Sequence, residues 1–174
     1  MRTIEIWFLY RAMIVFIYRF LLISIATYAG TSLLAPMRIL GWDIDIGILA
    51  LVLISTYAGR NSTVGWGMFS GFLLDCLNPQ WMGAGIVARS TSAMFVSSMR
   101  EKLNIEHAFL DGAVVFIAGF IDRAIYLGLS QYRENFFYGI FRFVIPSALY
   151  TAIFAIMLIF IYRIKRIINP RLVD

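Results

Sequence analysis

The sequence predicts an all-α integral membrane protein, a compact bundle of about six transmembrane helices in a single transmembrane domain over residues 1–174. Three observations predict it. The chain is 61% hydrophobic and 14% charged, with a mean hydropathy of +0.81, whereas a soluble domain is roughly half apolar and a quarter charged. Apolar runs follow one another with only short connections between them. Lysine and arginine gather at the ends of those runs, as membrane topology requires.

A helix needs about 20 apolar residues to cross the hydrocarbon. The first span, 12–34, ends before Pro36. Arg2 and Arg11 ahead of an apolar run also suit a secretory signal. Arg19 interrupts that run, however, and no small-residue cleavage site follows, so the segment reads as a retained helix. The second span, 44–59, opens in "DIDIG". The third, 63–77, is glycine-rich, and the fourth, 85–99, carries Arg89 and the run "RSTSAMFVSSM". The fifth, 111–131, holds Asp122 and Arg123 near its middle, and the sixth, 140–162, holds Pro146. Spans two to four are short. Little tilt, extension into the loops, or a hairpin that dips in and returns would each accommodate them.

Orientation follows from the basic residues. With the N-terminus inside, the inner flanks hold nine: Arg2, Arg11, Arg60, Arg100, Lys102, Arg163, Lys165, Arg166 and Arg171. The outer flanks hold two, Arg38 and Arg133. Six crossings with both termini cytoplasmic satisfy this asymmetry. It also accounts for the net charge of +5 without a nucleic-acid partner.

Several chemistries find no support in the sequence. Cys76 is the only cysteine, so neither an intramolecular disulfide nor a multi-cysteine metal site is available. The only histidine, His107, lies in the basic connection "REKLNIEHAF" with no nucleophile–base arrangement around it. "GWGMFSG" lacks the preceding strand and the lysine of a nucleotide loop. The expectation is a protein without catalytic residues, cofactor or metal.

Candidate packing or partner-contact residues are clearer. Gly67, Gly71 and Asp75 recur every four residues and share one ridge of a helix. Small residues mark close packing faces in lipid, and Gly65 is expected to lengthen this one. A carboxylate in the membrane must be paired or wet. Arg89, beyond the turn "NPQWMG", is the expected partner of Asp75; hydration at the outer interface is the alternative. Asp122 and Arg123 point about 100° apart on their helix, so each needs its own partner, with Arg19 and Arg142 available in other spans. They define either a structural polar network, the preferred reading, or a proton path or ligand site. Pro146 frees a backbone carbonyl that Ser147 and Thr151 are placed to re-satisfy.

The order of these motifs resembles the MreD family of bacterial rod shape-determining membrane proteins. The resemblance rests on "GFLLD" (Gly71, Phe72, Leu74 and Asp75), the following turn at Gly83, and the late Pro146-x-x-x-x-Thr151 segment. Size and helix count agree over nearly the whole chain. The chain departs from the family in having "DIDIG", with Asp45 but no proline, at the second helix, and in its Asp122–Arg123 pair. The resemblance implies a non-enzymatic subunit of the cell-elongation machinery in the bacterial cytoplasmic (inner) membrane. Its partner would be MreC, with the actin-like MreB, the glycosyltransferase RodA and a class B penicillin-binding protein acting alongside. Together these support side-wall peptidoglycan synthesis and rod shape. The basic inner surface suits anionic membrane lipid or a cytoplasmic partner. The alternative is a substrate-binding subunit of an energy-coupling-factor vitamin transporter, also small and six-helical. In that reading Trp42, Trp66, Trp81 and Asp75 line an outward pocket. A proton-coupled transporter using Asp122 is a third option.

Overall fold

The computed structural model describes residues 2–33, 42–102, 108–130 and 136–168. Every extended element among them is helical. Helix α1 (Arg2–Tyr28) runs into a π-helical turn, Ala29–Leu33. Then come α2 (Ile46–Tyr57), α3 (Arg60–Leu77), a 3-10 turn at Pro79–Trp81, α4 (Ala84–Lys102) and α5 (Ala108–Leu129). Helix α6 (Phe136–Gly139) joins α7 (Ile145–Ile168) through a π-helical segment, Ile140–Val144.

Among the described residues, three helical stretches are long and apolar enough to cross a membrane: Tyr10–Ser32, Phe109–Leu129 and Phe136–Ile161. The other three expected spans, on α2, α3 and α4, do not meet that length and hydropathy, and the reasons are local. Helix α2 has 12 residues, a length of about 18 Å against a hydrocarbon core of about 30 Å. Helix α3 opens with Arg60-Asn61-Ser62-Thr63 and ends near Asp75, and α4 carries Arg89 among serines and threonines.

The local signals explain the boundaries. Thr31 donates its hydroxyl to the carbonyls of Thr27 (3.0 Å) and Tyr28 (3.1 Å) where α1 passes into the π-helical turn. Asp45 caps α2, its side chain accepting from the Ile48 amide at 3.1 Å. Asn78 closes α3, and Gly83, at φ +100°, turns the chain into α4.

Helix α2 is apolar all round, and such a helix belongs inside. It lies within the bundle, with Ile48 and Leu51 wholly buried. Ile48, Leu49 and Val52 pack with Val96 of α4, Val115 and Ala118 of α5, and Ala152 and Ala155 of α7. A second cluster joins Ile23, Leu51, Ile54, Trp66 and Ala93. Helix α1 stays peripheral, exposing Met13, Ile14, Phe16, Ile17, Leu21 and Ile25.

Helices α3 and α4 pack through glycines. A Cβ on Gly67 would lie 2.6 Å from that of Ala93, and one on Gly71 would lie 2.6 Å from the Ile86 Cα. Neither is tolerable without moving backbone, so these positions require glycine. Gly65 does not extend the ridge. Nothing lies within 4 Å of its Cβ position, because it faces the other side of α3.

Candidate functional site

The polar residues singled out in the sequence meet at one end of the bundle, where α1, α3 and α5 finish and α2, α4 and α7 begin. Asp75 sits on the last turn of α3, 1% exposed. Its own helix dipole disfavours a carboxylate there, while the N-terminus of the next helix favours one. The chain resolves this by turning α4 back onto it. Asp75 accepts from the amides of Gly83 (2.9 Å), Gly85 (2.8 Å) and Ile86 (3.1 Å). Gly85 must be glycine, since a Cβ would fall 2.5 Å from Asp75 Oδ1. The carboxylate thus caps α4 from outside its own sequence. The ion pair expected between Asp75 and Arg89 is not formed, because the turn delivers backbone donors to Asp75 and carries the arginine to a different face.

Arg89, 2% exposed, pairs instead with two other acids. Its Nη2 donates to Asp45 Oδ2 at 2.5 Å, and its Nε lies 3.2 Å from Asp122 Oδ1. The second contact has ion-pair distance but not hydrogen-bond alignment, and Arg89 Nε, Arg89 Nη1 and Asp122 Oδ1 are buried without a hydrogen bond. Gly47 makes room for the guanidinium, since a Cβ there would be 2.8 Å from Nη1. Arg123 turns the other way, to the Asp43 carboxylate (3.5 Å) and carbonyl (3.0 Å). Separate partners for Asp122 and Arg123 were expected, but Arg19 and Arg142 are not those partners. Arg19 donates to the Tyr57 carbonyl at 3.3 Å. Arg89 also bridges Asp122 to a second carboxylate, Asp45.

The late proline segment holds the strip that carries Asp43 and Asp45. Pro146 has no N–H, which frees the carbonyl of residue 142 in the helix. The Trp42 indole donates to that carbonyl at 3.1 Å. Ser147 and Thr151 do not fill that role. The Ser147 hydroxyl accepts from the Asp43 amide (3.4 Å), and the Thr151 hydroxyl accepts from the Asp45 amide (3.1 Å) while donating to the Ser147 carbonyl (2.9 Å). One face of α7 therefore clamps the two aspartates in front of Arg89 and Arg123.

Beside the cluster is a cavity of about 270 Å³. Its polar lining includes Thr27, Thr31, Asp45, Asn78, Arg89 and Tyr126, and Ile44, Leu74, Phe143 and Val144 supply apolar wall. Three carboxylates (Asp43, Asp45, Asp122) and two guanidiniums (Arg89, Arg123) give the lining of this cavity a formal excess of one negative charge. No tryptophan lines the cavity. Trp42 is spent on a carbonyl, Trp66 borders a separate groove between α1 and α3, and Trp81 lines another hollow with Pro79 and Ser130. The aromatic pocket expected of Trp42, Trp66, Trp81 and Asp75 is not assembled. Cys76 is exposed. His107, Arg38, Arg133 and Arg171 lie outside the described residues. Among the described residues no three His, Cys, Asp or Glu side chains are grouped to hold a metal.

Sequence reasoning did not single out Asp43 and Asp45 as partners of the buried arginines, and it gave Trp42 only a place in a candidate pocket. The available signal was stoichiometric. Intramembrane arginines need counter-ions, and "DID" wedged between apolar residues offers two. Comparison of the chain with protein-family models, with curated proteins and with solved structures finds no match.

Proposed function

We propose that this protein is a non-enzymatic membrane subunit of the bacterial cell-elongation complex. It binds MreC in the cytoplasmic membrane and supports side-wall synthesis by MreB, RodA and a class B penicillin-binding protein. The observation that carries this reading is the use of the motif residues. Asp75 and Gly83 build the α3–α4 turn, and Thr151 with the segment at Pro146 fixes the strip before α2. Asp75 is spent on its turn and Thr151 on the strip before α2, which suits a scaffold. In this reading α2, α3 and α4 also cross the membrane, giving six crossings with both termini inside. Their polar groups support that arrangement because Thr63, Ser70, Asp75, Arg89 and Ser92 face the bundle interior.

A second reading, a substrate-binding subunit of an energy-coupling-factor transporter, draws support from the 270 Å³ cavity with its buried arginine. Two Ala-x-x-x-Ala spacings occur, Ala84/Ala88 and Ala148/Ala152, but all four alanines are buried and unavailable to a docking module. The test is depletion in a rod-shaped bacterium with co-purification of MreC. Rounded, widening cells and MreC recovered with the tagged protein are expected. Normal rods with loss of uptake of a small solute would replace the first reading with the second.

A further inference from the structure

At the opposite end of the bundle, α1 and α3 diverge and leave a groove of about 770 Å³. Its wall is apolar and aromatic: Val15, Phe16 and Phe20 from α1, Trp66 and Phe69 from α3. The rings interlock, with Phe16–Trp66 centroids 5.2 Å apart and Phe20–Phe69 centroids 5.0 Å apart. Two arginines, Arg11 and Arg19, line the same groove, and no acid is among the residues that line it. Arg11 lies over the Trp7 ring at 5.5 Å, and Arg19 is tethered through the Tyr57 carbonyl.

We propose that this groove is a binding site for an anionic phospholipid, seating the phosphate at Arg11 and an acyl chain along Phe16, Phe20 and Trp66. The two arginines are eight residues apart, about 12 Å along α1. Both side chains lean toward the N-terminus; Arg11 lies at the Trp7 ring, where it meets a headgroup, and Arg19 stays deeper, at the Tyr57 carbonyl. Guanidiniums bind phosphate through paired hydrogen bonds. A second protein helix would have to carry a carboxylate into the hydrocarbon to match these charges, whereas a phospholipid brings its charge to the interface with its chain already attached. The proposal is independent of the elongation-complex reading.

Trp66 supplies the probe. The purified full-length protein is reconstituted with phosphatidylglycerol or phosphatidylcholine brominated on the acyl chains, and quenching is compared with that of Trp66→Phe to isolate the Trp66 signal. The expected result is quenching of Trp66 at roughly five-fold or more lower mole fraction of the anionic lipid, the preference one interfacial basic residue supplies. Arg11→Gln, which leaves the Arg19–Tyr57 contact untouched, should lower that preference about five-fold, and Arg11→Lys should retain most of it. Equal quenching by the two lipids, or a preference unchanged in Arg11→Gln, overturns the proposal. So does a Trp66 that neither lipid reaches, which would mean that a second copy or a partner helix covers the groove.

Discussion

Asp75 and Asp122 lie at the same end of the bundle, 1% and 5% exposed, and are held in opposite ways. Asp75 receives three backbone amides from a turn that closes over it, and both of its oxygens are used. Asp122 has one arginine atom at 3.2 Å, poorly aligned, on a guanidinium already committed to Asp45. Backbone donors cannot leave without undoing the turn, whereas an arginine shared by two acids serves neither fully. The first carboxylate is therefore part of the architecture. The second contributes charge to a cavity wall, and that wall holds less positive charge than negative.

The comparison is broken most severely at Arg89. Arg89→Met keeps much of the side-chain volume and removes the cation. Asp45 and Asp122 then face each other with no charge between them, beside an unchanged Arg123–Asp43 pair. Breaking a buried pair by deleting one partner costs about 3–5 kcal/mol, a large part of the stability of a small domain. The expected outcome is a strong fall in folded protein recovered in mild detergent, larger than for either aspartate variant below. Recovery and thermal midpoint equal to the parent would show that the cluster is not what organises this end.

How much of this was legible beforehand follows from what periodicity encodes. The i, i+4 spacing of Gly67, Gly71 and Asp75 puts them on one ridge, and that ridge faces α4. Spacing within a helix carries no information on which residue of the next helix arrives opposite. The turn "NPQWMG" decides that, through Gly83 at positive φ, and it brings amides rather than Arg89 to Asp75. The same limit applies to Pro146. The missing N–H is evident from the sequence, but the donor that answers it, Trp42, lies 104 positions away. Three of the six expected spans are faint in hydropathy for another reason: a helix such as α4 hides polar residues among its neighbours, so its hydropathy describes its bundle-facing side as much as any lipid-facing one.

Asp75→Asn sharpens the comparison with the next largest effect. The amide keeps one acceptor oxygen and turns the other position into a donor aimed at backbone N–H groups. Hydrogen bonds to a charged group contribute about 1.5–3 kcal/mol each, so losing one or more should cost about 2–3 kcal/mol. The checks are the thermal midpoint by size-exclusion chromatography and hydrogen exchange at the Gly85 and Ile86 amides, which should speed up ahead of the rest of α4. Unchanged exchange there would mean that those amides do not depend on the carboxylate.

Asp122→Asn should cost least, although removing a buried charge from an ion pair is usually severe. Asparagine is nearly isosteric and keeps an acceptor for Arg89 Nε. Arg89 retains its shorter contact with Asp45, so no cation is left alone. The formal excess of negative charge among Asp43, Asp45, Asp122, Arg89 and Arg123 disappears, which relieves repulsion between Asp45 and Asp122. The two effects oppose each other, and the net change should stay within about 1 kcal/mol, the size of an ordinary hydrogen bond. Asp122→Asn should therefore match the parent in recovery and thermal midpoint where Asp75→Asn does not. A larger loss than for Asp75→Asn would reverse the ranking and make the Arg89–Asp122 contact the principal restraint on the arginine. Parent-like stability with loss of cell-shape complementation would separate the two acids further, because the charge of Asp122 would then act on something outside the fold, through the cavity it lines.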